Sequence, residues 1–254
     1  MTGREQNPIA PHPVLQDYYG KAEDRRNRVD DMFDSTAEHY DWITDVMSFG
    51  SGRMYRRQAL ARAGLKAGDK VLDVGAGTGV VSWLAQQMVG EQGLVVALDP
   101  SKGMLNQAIK LGVHHASQGL GEALPFADNT FDYLTMGFAL RHVADLGAAF
   151  AEYQRVLKPG GKILLLEITR PEGKVATALL KFYLKIIIPN LAKIFRRSAD
   201  SKVLMRYYWD TIEQCVPPNT IVGALKSTGL EHSQRAVVLG IFSEYTGIKP
   251  VKSL

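Results

Sequence analysis

The sequence predicts a doubly wound α/β domain built on a mainly parallel sheet, and three observations carry that prediction. Short β-rich runs alternate with helical stretches through the middle of the chain. Those runs are continuously apolar, as strands covered on both faces must be. The last two β-rich segments have no helical crossover between them, so they should pair antiparallel at one edge. With 254 residues the chain accommodates one large domain, since domains run to roughly 100–200 residues. A hydrophobic share of 46% against 22% charged allows a sizeable core and sets aside disorder, collagen and coiled coil.

Residues 1–20 carry Pro8, Pro11, Pro13 and Gly20 among polar residues, the composition of a flexible arm. From Glu23 to Met47 apolar residues recur at three- and four-residue steps, and a second helix is expected over Tyr55 to Ala63, giving an N-terminal helical lobe over 21–66. The domain proper, 67–254, opens with KVLDV at 70–74. Further strands are LVVALD at 94–99, a weaker one near 113–118, FDYLTM at 131–136 and KILLLEI at 162–168. Helices are expected at 79–90, 102–111 and 145–157, and one more from Ile212 to Gly229. HSQRAVVLG and IFSEYTGIK form the closing pair.

Thirty Lys and Arg against 26 Asp and Glu leave a net charge of +4, too little to suggest a nucleic-acid partner. The excess is local: residues 174–206 hold eight cations and one acid, Asp200, for +7. Within this insertion Lys174, Lys181 and Lys185 fall on one helical face and Leu179, Phe182 and Ile186 on another. Such a helix suits peripheral membrane contact or a lid over a greasy substrate, or else packs on the core with a solvated lysine face. The lone Cys215 excludes an intramolecular disulfide. The opening residues lack a signal-peptide core and no run reaches the ~18 apolar residues a membrane span needs, so the expected location is cytoplasmic.

KVLDVGAGTGVVSWLAQQM reads as a strand, a turn with Gly75, Gly77 and Gly79, and a helix. Glycines let the backbone turn tightly and approach a ligand, while the new helix offers free N–H groups. Asp99 ends the next strand, where a carboxylate accepts both hydroxyls of a ribose. The spacing is G-x-G-x-G with Val80 in the sixth place, not the dinucleotide pattern G-x-G-x-x-G. Asp73 would repel a pyrophosphate and welcome an ammonium group, which favours S-adenosylmethionine over a nicotinamide dinucleotide. No second glycine-rich phosphate turn supports a dehydrogenase.

VLDVGAGTG, ALDPSKGML, GEALPFADNTFDYLTMGFALRHV and YQRVLKPGGKILLLEI resemble, in order and spacing, the motifs of class I S-adenosylmethionine-dependent methyltransferases. YDWITDVMSFG, LPFADNTFD with GFALRHVAD, and GIFSEYTGIKP resemble the ubiquinone/menaquinone C-methyltransferase family. The resemblance implies a seven-stranded Rossmann-like sheet. It also implies that Asp73, Gly75, Gly77, Thr78 and Gly79 surround the methionine end of the cofactor and that Asp99 holds the ribose. Pro100, Ser101 and Met104 would line the adenosine, Gly121 and Glu122 would lie beside the adenine, and Gly137 would floor the pocket. Met104 also suits core filling and Glu122 a solvated position. Tyr40 would close over the cofactor or serve as an ordinary core tyrosine. The chain departs from the family pattern at Thr44, Leu120, Gly137, Ala139 and His142.

Methyl transfer from a sulfonium is an in-line displacement that needs near-attack geometry and exclusion of water, and no metal. A quinol carbon also needs its ring hydroxyl deprotonated or polarised, because a phenol titrates near ~10. Arg141 and His142 follow the fourth strand at the carboxyl edge of the sheet and are the candidate catalytic pair, His142 as base and Arg141 as partner of a phenolate. A histidine at a strand end also serves as a cap or packing group. The expected activity is methylation of a lipophilic acceptor, foremost a ring carbon of a prenylated quinol. A phospholipid amine or another hydrophobic metabolite is the alternative acceptor, and a cofactor-binding protein without turnover is the non-enzymatic one.

Overall fold

The computed structural model describes residues 8–21, 24–48, 50–188, 190 and 199–251. One sheet of seven strands runs β3-β2-β1-β4-β5-β7-β6. The strands are β1 (Lys70–Val74), β2 (Leu94–Asp99), β3 (His115–Gln118), β4 (Phe131–Gly137), β5 (Leu157–Ile168), β6 (Glu231–Val238) and β7 (Phe242–Ile248). The first five are mutually parallel, while β7 pairs antiparallel with β5 and with β6, so the closing hairpin forms the edge that its sequence foretold. The order reverses at β1, which pairs with both β2 and β4, and a ligand cleft opens beyond the carboxyl ends there.

Alternate residues of each strand feed two helical layers. Leu72, Val74, Leu134, Met136, Ile163 and Leu165 pack on α5 (Leu146–Val156) and α8 (Pro218–Ser227). Val71, Val95, Tyr133 and Leu164 pack on α2 (Gly52–Arg62) and α3 (Val80–Val89), with α4 (Lys102–Leu111) beside them over Ala97. The second N-terminal helix is thus part of a sheet layer rather than of a separate lobe, with Ala59 and Leu60 fully buried in it. Truncating a fully buried leucine such as Leu134 to alanine would cost about 2–5 kcal/mol.

Two further expectations are corrected. The stretch from Ile212 to Gly229 is two elements, the end of α7 (Ala199–Glu213) and α8, because Pro217 and Pro218 cannot continue a helix. Within the arm, the described residues from Pro8 onward are docked. Ile9 N–H donates to Asp145 (3.0 Å), and the carbonyls of Ile9 and Pro11 accept from the N–H groups of Leu146 and Val216. Leu15 and Tyr19 are buried against Val29 and Tyr207. Residues 1–7 of the arm, and residues 189 and 191–198 of the basic insertion, lie outside the described residues. Among the described helices none is long and apolar enough to cross a membrane.

Candidate active site

The turn after β1 works because three glycines adopt a conformation that side chains resist: φ is +63° at Gly75, +55° at Gly77 and +82° at Gly79. A Cβ on Gly75 would lie 2.6 Å from that of Ala139, and one on Gly79 would lie 2.6 Å from that of Ala108, so both glycines also permit close packing. At Gly77 a Cβ would meet no protein atom within 4 Å; its space belongs to a cavity of about 530 Å³ over the carboxyl ends of β1, β2 and β4. That volume suits a nucleoside-sized ligand.

Asp99 faces this turn. Its Oδ2 accepts from Gly77 N–H (2.8 Å) and its Oδ1 from Ser101 N–H (2.9 Å), so the carboxylate is fixed while each oxygen keeps a second lone pair for a ribose hydroxyl. Burial raises its pKa to about 6 against the pull of those two N–H groups. Ser101 caps α4 by accepting from Met104 N–H (3.0 Å) and also donates to Asp34 of α1 (Arg25–Met47). Asp34 in turn accepts from Gly103 N–H (3.0 Å), and these bonds draw α1 across the mouth of the cleft.

Gly75, Gly77, Thr78, Asp99, Pro100, Ser101, Met104, Gly121, Glu122, Gly137 and His142 all line the cavity. Gly121 lies over the Tyr153 hydroxyl, which a Cβ would approach to 2.7 Å. Glu122 accepts from Ala144 N–H (2.6 Å), joining the two loops beside it. Three expected residues are not in the wall: Asp73, Gly79 and Arg141. Asp73 is fully buried and accepts from Ser82 (2.6 Å) and Thr135 (2.8 Å), which ties α3 to β4; burial lifts its pKa to about 6. It braces the turn and does not face the cavity.

Arg141 calls for the larger correction. Its guanidinium is fully buried, donates to Glu167 of β5 at 2.9 Å, and donates to Thr211 (2.8 Å) and the Tyr208 carbonyl (3.2 Å) of α7. It binds the loop after β4 to two other elements instead of facing an acceptor. His142, its neighbour in the 3₁₀ turn Leu140–His142, faces the cavity with Nδ1 3.1 Å from the Tyr207 hydroxyl. Its Nε2 is buried without a partner. Burial, and then the charges of Arg141 and Arg25 and the neighbouring His12, hold this imidazole well below its ordinary pKa, so it is neutral at physiological pH.

The sequence reading missed the α1 and α2 side of the wall: Arg25, Asp30, Phe33 and Arg56. Helical spacing of Arg25, Val29 and Phe33 was the available signal. Arg25 donates to the Arg141 carbonyl (2.7 Å) and contacts His12 Nε2 (3.0 Å), so the arm reaches the cavity through it. Phe33 meets the His142 ring edge-on, with centroids 5.1 Å apart. Tyr40 also lines the cavity and is hydrogen-bonded to Tyr208. Phe138, with φ +63° and Arg56 stacked over its ring at 4.8 Å, had no signal in the sequence.

The donor set fits S-adenosylmethionine: a glycine cradle open at Gly77, a fixed carboxylate at the end of β2, and an adjoining wall of Pro100, Ser101 and Met104. Residues 21–249 match the ubiE/COQ5 methyltransferase family. A Saccharophagus degradans protein named ubiquinone/menaquinone biosynthesis C-methyltransferase UbiE is 36% identical over 235 residues, 89% of this chain and 93% of that one. The Cellvibrio japonicus protein of the same name is 34% identical over 90% of this chain and 94% of its own length. Among solved structures, a SAM-dependent methyltransferase from Aquifex aeolicus shares the fold, with a TM-score of 0.58 at 22% identity, covering 82% of this chain and 97% of that one. With 36% identity across nine-tenths of both chains behind it, the conclusion is that this protein belongs to the ubiE/COQ5 family and is an S-adenosylmethionine-dependent methyltransferase.

Proposed function

We propose that the acceptor is a ring carbon of a prenylated quinol and that His142 activates it. The observation that supports this most is the neutral imidazole of His142 in the wall of the cofactor cavity. The curated relatives' names point to the same acceptor class. The bound donor supplies an electrophilic methyl group on a sulfonium. A C–S bond breaks as a C–C bond forms, and the overall reaction releases one proton.

With the ring hydrogen on Nδ1 shared with Tyr207, Nε2 is the nitrogen left to take the acceptor's proton as the carbon attacks, which requires the imidazole to turn its buried Nε2 into the cavity when the acceptor binds. The buried, cation-rich surroundings that keep His142 neutral also penalise a lasting imidazolium, so the proton is passed onward rather than stored. Phe33 and Phe138 provide apolar surface for the ring and help exclude water. A prenyl tail keeps the acceptor in a membrane, so this reading includes peripheral membrane contact.

The test uses labelled donor with a short-chain, water-soluble quinol and with a phospholipid extract. The quinol should gain a ring methyl, and His142→Ala should lose roughly 10²–10⁴-fold in turnover with unchanged affinity for S-adenosylhomocysteine. Label in the phospholipid amines with none in the quinol would overturn the acceptor, and full activity of His142→Ala would remove the base.

A further inference from the structure

The helix that follows β5 carries apolar residues on two sides, and only one side is packed. It runs from Lys174 through Phe182 (α6) and continues in a π-helical turn over Tyr183–Ile187 to Ile188. Leu180, Leu184 and Ile188 turn toward α7, where Leu184 and Ile188 are buried among Trp209, Ile212, Leu204 and Tyr208. Val175, Leu179, Phe182 and Ile186 form a second stripe that is 75%, 64%, 55% and 46% exposed. A helix lying on a core needs a polar outer face, and here that face is apolar. The lysines flank the stripe, Lys181 paired with Glu213 (2.9 Å) and Lys185 with Asp210 (2.7 Å), with Lys174 exposed at the helix start.

We infer that this stripe is inserted into the interfacial region of a lipid bilayer rich in anionic headgroups. The charge selects the occupant. Even counting Asp210 and Glu213, which pair with Lys185 and Lys181, residues 174–213 carry eight cations and three acids, a net +5 that complements an anionic leaflet, whereas a second copy docked symmetrically on the same face would bring two such segments together. An apolar stripe bordered by cations is what an interfacial helix requires. The position serves the site as well: Ile188 shares a cluster with Tyr208, against which Phe33 and Tyr40 of the cavity wall pack. The inference deepens the quinol reading, and rests on it, in naming the surface from which a prenylated acceptor is drawn.

The full chain is tested by co-sedimentation with vesicles of phosphatidylcholine, with and without phosphatidylglycerol. It should bind those containing phosphatidylglycerol, and the double variant Leu179→Ser/Phe182→Ser should lose affinity about tenfold or more. That variant should methylate a water-soluble quinol in vesicle-free buffer at the wild-type rate. In a Phe182→Trp variant, indole emission should shift to the blue on vesicle addition and be quenched by lipids brominated along the acyl chain. No sedimentation of the wild type, or binding that the double variant leaves unchanged, would overturn the inference. So would a dimer in light scattering that the double variant dissolves without any vesicle binding. Vesicle binding and quenching with no methylation of any quinol would overturn the acceptor and leave the membrane face standing.

Discussion

Replacing Arg141 with methionine should cost about 3–5 kcal/mol of folding stability, the range observed when one partner of a buried ion pair is removed. Both side chains of the Arg141–Glu167 pair are fully buried. Without the guanidinium, Glu167 keeps only backbone donors, Ile168 N–H at 2.9 Å from Oε1 and the N–H of residue 141, and no charged partner. Thr211 stays satisfied through the Tyr208 carbonyl, so the loss concentrates on the stranded carboxylate. Domains are stable by only about 5–15 kcal/mol, so the single variant spends a large fraction of that margin. Arg141→Met/Glu167→Leu, which removes both charges and fills the space with apolar atoms, should recover most of it.

Urea unfolding followed by circular dichroism measures both variants. Burial already raises the Glu167 pKa and Arg141 opposes that rise, so in Arg141→Met the folded-state value climbs further above the unfolded one. An acid raised on folding costs nothing below its unfolded pKa and progressively more as pH increases through the folded one. The deficit of Arg141→Met should therefore be largest at neutral pH and shrink toward pH ~4.5. Cofactor affinity should persist wherever the variant is folded. A single variant as stable as wild type but without turnover would refute the structural role. A double variant that regains stability yet stays inactive would equally assign the guanidinium to the chemistry.

Two further outcomes follow from the cradle. Asp99→Ala removes a carboxylate that holds the turn and lines the cavity; if it also binds the ribose, S-adenosylhomocysteine affinity by calorimetry should drop about 10- to 100-fold, as for hydrogen bonds to a charged group. Asp73 is raised on folding from 3.8 to about 6, so its protons are held more tightly in the folded state and stability falls as pH rises across that window. The loss amounts to about 3 kcal/mol, and Asp73→Asn should flatten that part of a pH series of urea unfolding curves relative to wild type.

The sheet was legible because its central strands are buried on both faces and read as continuous apolar runs, and the cofactor turn because glycine adopts those φ values far more readily than other residues. The break at Pro217 and Pro218 was also written in the sequence, but a longer helical pattern masked it. Arg141 and His142 show where reading stops. Neighbours in a 3₁₀ turn point about 120° apart, so one residue entered the core and the other the cavity, and no local pattern says which. The docking of Ile9 depends on Asp145, 136 residues away, and a proline-rich composition is silent about it. The helix after β5 left its packed side undecided until α7 covered Leu184 and Ile188.

What the sequence by itself determined is everything set by short-range sterics and burial periodicity: the strands, the glycine turn, the acid at the end of β2, and the family. Tertiary structure alone decided which of two adjacent polar residues lines the cavity, how α1 closes the cleft, and which apolar face remains exposed. Those outcomes depend on partners far along the chain, whose approach is governed by the packing of whole elements and not by the identity of neighbours in sequence.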